Sequence, residues 1–227
     1  MRKTFLILLA LCLVLAIAPC VSAQGLPSIC VPGLVIAHMT DAHITTLGNV
    51  SAQRAKAVFL SAQGDVLVDT GDCTEHGTAL EWGRYQRLAV LRGTRPFHVT
   101  AGNHDSGLVP YPQGWVVDVK GVRLVGVDSR RPSLPALELA LGGTSLPAVV
   151  FGHFDFGFYD PGKQAALRAM FRAHGVLAYV AGHSHLETDV LDASGTRFIT
   201  AGPASRGYWQ RIAVTGRDVA VMNIHLY

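Results

Sequence analysis

The sequence predicts an α/β fold, and three observations carry that prediction. Short apolar runs with the length of buried strands recur along the chain, helix patterns with capping signals lie between them, and five of the runs stop on a compact block of Gly, Asp, Asn and His.

Taken in chain order, residues 34–38 form the first buried strand run, and 49–61 read as a helix. A second strand run at 66–69 leads to the capping box Thr78-Ala-Leu-Glu81. That box opens a helix to about residue 91 with Trp82, Tyr85 and Leu88 on one side. Strand runs follow at 97–100, 115–119 and 122–128, then a short helix at 135–141 and a strand at 148–151. Asp160-Pro161 opens a helix that turns Leu167, Met170 and Phe171 inward and ends near Gly175. A strand at 177–181 and strand-like runs at 187–191, 197–200, 208–214 and 219–224 complete the order.

The five blocks are Asp41-Ala-His43, Gly71-Asp72, Gly102-Asn103-His104-Asp105, Gly152-His153 and Gly182-His183-Ser184-His185. Each follows a strand run, and in an α/β fold the carboxyl ends of neighbouring strands converge on one rim. The Gly residues that open the later blocks give the backbone room to turn sharply. Carboxylate, amide oxygen and imidazole are the donors that hold borderline divalent metals at an open, water-bearing site. Five of the ten histidines fall in these blocks, which core filling alone does not explain.

This ordered set resembles the calcineurin-like metallophosphoesterase family, over roughly residues 34–190. The resemblance implies a four-layer α-β-β-α sandwich of two mixed β-sheets flanked by helices, with a binuclear metal site at the rim. It gives one ion to Asp41, His43, Asp72 and His185 and the other to Asp72, Asn103, His153 and His183, so that Asp72 bridges. The cofactors implied are two divalent transition-metal ions, Mn, Fe, Zn, Co or Ni. Such a pair activates a bridging water as hydroxide and clamps the attacking and leaving oxygens at phosphorus. By the same resemblance His104 faces the phosphate as a charge stabiliser or general acid, and Asp105 orients its ring. A turn-stabilising role is the plainer reading of Asp105.

Departures from the family pattern narrow the reading. A single histidine, His153, stands at the fourth block, where relatives often carry two. Purple acid phosphatases place a Tyr three residues after the bridging Asp; here that position is Glu75, so a tyrosinate-bound ferric ion is not expected. Gly71-Asp72-Cys73-Thr74 and the run 124–129 instead resemble the cyclic-nucleotide phosphodiesterase-like branch. The function implied is hydrolysis of small-molecule phosphodiesters. A phosphomonoesterase or pyrophosphatase using the same centre is the alternative, and a non-catalytic scaffold the rival from another class.

Residues 1–23, with Arg2, Lys3, an apolar run over 5–18 and Val21-Ser22-Ala23, read as a signal peptide ahead of a single domain over 24–227. Export to the periplasm or outside the cell is expected, with a membrane anchor as the alternative if the segment is uncleaved. The apolar run falls short of the about 20 residues that a spanning helix needs. Losing Arg2 and Lys3 takes the 19 basic side chains to 17 against 16 acidic, a near balance that argues against a nucleic-acid surface. Oligomeric state is not legible. Cys30 and Cys73 are expected at opposite ends of a sheet and so unbridged, with Cys73 a buried thiol.

The remaining candidates have plainer readings. His38 and His98 read as packed histidines, His76 as an exposed loop residue or a support to the ligands, and His174 and His225 as unrelated to the site. Asp69 and Asp155 are candidates to orient ligand imidazoles. Tyr111, Phe154, Phe156, Phe158, Tyr159, Tyr208 and Trp209 are candidate pocket walls with core packing as the default; Arg130, Arg131 and Arg206 are candidate anion contacts with solvated surface as the default.

Overall fold

The computed structural model describes residues 19–21, 27–29, 33–107 and 109–227. Most of the signal-peptide reading and Cys30 lie outside those residues. Within residues 1–31, β1 (Pro19–Val21) pairs antiparallel with β2 (Pro27–Ile29), a two-stranded unit that the sequence reading does not anticipate.

Residues 32–227 form the second unit. In it β3 (Leu34–Met39), α1 (Val50–Ser61), β4 (Val66–Asp69), α2 (Ala79–Ala89) and β5 (Phe97–Val99) are followed by β6 (Trp115–Val119), β7 (Val122–Gly126) and α3 (Leu134–Leu141). Then come β8 (Ala148–Phe151), α4 (Pro161–Ala173), β9 (Val176–Ala181), β10 (Thr188–Leu191), β11 (Arg197–Thr200), β12 (Tyr208–Thr215) and β13 (Asp218–His225). The expected strands and helices are all present, with ends shifted by one or two residues. Short 3-10 turns at Val90–Arg92, Phe156–Phe158 and Ala204–Arg206 are additions.

Two mixed sheets form, ordered β13-β12-β3-β4-β5 and β10-β11-β9-β8-β7-β6. The strands β3, β4 and β5 run parallel, as do β7, β8, β9 and β11. Parallel strands covered on both faces carry continuous apolar runs, and β4, β8 and β9 are buried at every residue. The edge strand β10 is exposed throughout.

Alternation sorts the side chains into layers. Leu34, Ile36, Val66 and Val68 of one sheet meet Leu124, Val149, Phe151 and Val180 of the other. On the outer faces, Ala37, Met39 and Leu67 pack on Val58 and Phe59 of α1 and on Trp82 and Tyr85 of α2, while Val150 and Tyr179 pack with Leu137 of α3 and Leu167 and Phe171 of α4. Those four layers are the expected sandwich.

Local signals fix the helix starts. Asn49 and Asp160 accept the N–H of Ala52 and Lys163, each at 2.9 Å. Thr78 and Glu81 close a reciprocal capping box. His38 and Gln210 form a polar pair between the sheets: Gln210 and Thr70 each take one ring nitrogen of His38 at 2.9 Å, and burial pushes the pKa of His38 down to about 4.

Candidate metal centre

All five blocks emerge at carboxyl ends of strands: Asp41 and His43 after β3, Asp72 after β4, Asn103 and His104 after β5, His153 after β8, and His183 and His185 after β9. Backbone bonds stitch these loops together. Asp41 N–H donates to Gly71 O at 2.8 Å, His43 N–H to Asp72 O at 2.9 Å, and Gly182 N–H to His153 O at 3.0 Å. Side chains add further ties, since Asp72 Oδ1 accepts His104 N–H at 2.8 Å and Asp41 Oδ2 accepts His183 N–H at 3.1 Å. Gly102 passes so close to Asp72 that a Cβ there would enter the carboxylate.

Three sets of side-chain donor atoms gather within 4.8 Å: Asp41, His43 and His185; His43, Asp72 and His104; and Asp72, His153 and His183. Asp72 Oδ2 lies between the first and last of these sets, 3.8 Å from His43 Nε2 and 3.2 Å from His153 Nε2. Asn103 Oδ1 joins the last set at 3.0 Å from His153 Nε2.

The donor set fits divalent metals. Asp41 Oδ1 and His43 Nε2 are buried without a hydrogen-bond partner, 3.8 Å apart, and a buried orphan pair of this kind is costly unless a cation completes it. The histidines also present the correct nitrogen. His43 Nδ1 donates to Glu75 Oε2 at 2.9 Å and His153 Nδ1 to the Thr70 carbonyl at 3.0 Å, leaving Nε2 of each as the donor atom toward the cluster.

Charges in the cluster hold one another. Burial pushes Asp72 up, but His153 beside it holds the carboxyl below its ordinary value; Asp41 is likewise held down, against burial, by His185 and His153. Burial pushes His153 down, and Asp72 brings it net upward. Asp69, buried beneath the loop, is pushed up to about 8 by desolvation although Tyr85 O–H donates to it at 2.5 Å.

Three expectations are corrected here. Asp105 does not touch the His104 ring: its carboxylate accepts Gly102 N–H, Cys73 N–H, Thr74 N–H and the Thr74 hydroxyl, tying the loop of Asp72 to that of Asn103. His104 Nδ1 donates instead to the Glu75 carbonyl at 2.9 Å. Asp69 and Asp155 hydrogen-bond no candidate imidazole either: Asp69 is taken by Tyr85 and Gly71 N–H, and the Thr70 carbonyl and Glu75 are the acceptors for His153 and His43. Sequence reasoning noticed Glu75 only as a non-tyrosine.

Several other candidates fall where their plainer readings put them. His76 is exposed and paired with Glu81, His98 stacks on Trp115, and His174 and His225 pair with Glu138 and Glu187. Cys73 is a buried free thiol. Arg130 departs from its solvated-surface reading: it is half-buried and spent on Asp128, Gln113 and the Asp105 carbonyl. Phe156, Tyr159 and Trp209 are buried in the core. A cavity of about 630 Å³ lies elsewhere, between β7 and α3, and no ligand candidate lines it.

A family model described as calcineurin-like phosphoesterase matches residues 34–187. No curated protein matches the chain by sequence. Among solved structures, a dimetal phosphatase from the zebrafish Danio rerio is similar at 13% identity and a TM-score of 0.62, over 86% of this chain and 100% of that one. A purple acid phosphatase from yellow lupin (Lupinus luteus) seeds is similar at 12% identity and 0.67, over 86% of this chain and 52% of that one, so the chain spans about half of the plant enzyme. A Thermus thermophilus protein matches at 12% identity and 0.56, over 84% and 98%. At these identities the likeness is one of fold.

Proposed function

The chain belongs to the calcineurin-like phosphoesterase family, and on that premise we propose that it hydrolyses phosphodiesters at a centre of two divalent transition-metal ions. The observation that carries the proposal is the position of Asp72 Oδ2 between His43 and His153, one from each end group of donors. Asp41, His43, Asp72 and His185 would hold one ion, and Asp72, Asn103, His153 and His183 the other. Bound there, two cations neutralise phosphoryl oxygens and acidify a water. Gly71-Asp72-Cys73-Thr74, with Glu75 in place of a tyrosine, supports a position beside the cyclic-nucleotide phosphodiesterase-like branch.

The chain's own residues do the rest. His104 is part-exposed beside the donors, and its Nδ1 proton is committed to the Glu75 carbonyl. That bond fixes the ring so that Nε2 delivers a proton to the departing alkoxide. Asp105 contributes by holding two loops in register. Replacing His104 with Ala is expected to keep the metal content and lower turnover by about 10²-fold or more; loss of metal in that variant would make His104 a ligand.

The test is hydrolysis of bis(p-nitrophenyl) phosphate against p-nitrophenyl phosphate by protein stripped of metal and reloaded with Mn²⁺. Metal-dependent cleavage of the diester is expected, and a protein active on the monoester alone would overturn the diester assignment. Export belongs to the same reading, supported by the composition of residues 1–23. No helix among the described residues is long and apolar enough to cross a membrane. An exported chain beginning at Gln24 is expected by mass spectrometry; full-length protein in a soluble cell fraction would contradict export.

A further inference from the structure

The loop after β8 carries three phenylalanines, and the fold treats them differently. Phe156 turns into the core against Phe198. Phe154 and Phe158 instead lie face to face, with centroids 4.3 Å apart and planes 10° from parallel. Both meet the ring of His183 edge-on, at 4.7 and 4.9 Å, and Phe154 also meets His153 at 5.4 Å.

Phe158 is nevertheless 58% exposed. Its backbone is held in the turn Phe156–Phe158, where Phe158 N–H donates to the Asp155 carbonyl at 3.1 Å. With Phe154 covering one face, the exposure falls on the rest of the ring. An aromatic ring kept open beside the metal-ligand candidate His183 loses the burial that Phe156 gains.

We infer that Phe158, backed by Phe154, is a stacking platform for a flat aromatic group carried by the phosphate ester, either a nucleobase or an aryl ring. The inference rests on the phosphoesterase reading, since it names what the ester carries. A phosphoryl group held at His183 brings its substituent within reach of a ring about 5 Å away. Stacking on an aromatic side chain is tolerant of base identity and worth about 5- to 150-fold in affinity. The parallel backing ring favours a flat partner over an alkyl chain, because offset stacking adds to plain area burial.

The test is a calorimetric titration of the full chain loaded with Mn²⁺, which reads binding rather than turnover. Adenosine 5′-monophosphate and ribose 5-phosphate differ only in the base; phenyl phosphate and methyl phosphate differ only in the ring. The native protein is expected to bind the aromatic member of a pair about 10-fold more tightly. Phe158→Ala should bring the two within about twofold while leaving ribose 5-phosphate affinity and metal content as they were, and Phe158→Trp should restore the preference. Loss in both pairs assigns any flat ring, and loss in the adenosine pair alone assigns a nucleobase. A preference that survives Phe158→Ala, or that Phe158→Leu preserves in full, overturns the platform. Protein that shows the preference but cleaves no ester would keep the platform and lose the phosphoesterase reading, and active protein without the preference would do the reverse.

Discussion

At the residue scale, the ligand candidates share a backbone property that their side chains do not announce. Asp41, His43, Asp72, His183 and His185 all have positive φ, between 46° and 69°, and Lys120 is the other non-glycine residue in that state among those described. The left-handed conformation costs a non-glycine residue about 1–2 kcal/mol, so five such residues in one rim mark a place where geometry is held against local preference. Residue type and order made the ligand candidates legible in the sequence. The φ values were not, and neither were the partners of the imidazoles, because a carbonyl such as that of Thr70 belongs to every residue. Glu75 is the exception that a sequence could have flagged. Its carboxylate accepts His43 Nδ1–H, so Glu75→Ala is expected to weaken metal affinity by about 10- to 100-fold. Unchanged affinity in a metal titration would show that His43 needs no such support.

At the element scale, the site depends on loops approaching more closely than side chains allow. Gly71, at φ +104°, backs onto Gly102, and Gly102 backs onto the Asp72 carboxylate. Gly102→Ala is therefore expected to displace Asp72, destabilise the fold by about 1–3 kcal/mol and impair metal binding. Gly48→Ala, where an added Cβ meets nothing within 4 Å, serves as the control. Equal melting temperatures and metal content in the two variants would remove the close approach from the account. Helix starts were readable because caps are local: Asn49, Thr78 and Asp160 each do what their side chains predict. The 3-10 turn at Phe156–Phe158 was not read, although Gly157 lies at its centre, because the inward packing of Phe156 that accompanies it is a tertiary contact.

At the scale of the whole molecule, periodicity gave the strands but not their sheets. Fully buried runs such as Val66–Asp69 and Ala148–Phe151 look alike in sequence, yet one lies in each sheet. The two-sheet arrangement came from the family resemblance, and the layer between the sheets now gives it a physical basis. Leu124, fully buried there, should cost about 2–5 kcal/mol on truncation to Ala. A denaturant melt that moved much less would mean that the sheets are not held together through that layer. The same packing brings β8 and β9 of one sheet to the rim shared with β3, β4 and β5 of the other, so both sheets contribute to the donors around Asp72.

The two-metal account is tested most directly by counting metal. Native protein and Asp72→Ala would be stripped, reloaded with Mn²⁺, freed of excess ion, and measured for Mn per chain and for hydrolysis of bis(p-nitrophenyl) phosphate. The account predicts two ions and metal-dependent hydrolysis for the native chain, with loss of the paired occupancy and of activity in the variant. Two ions and native turnover in Asp72→Ala would contradict it.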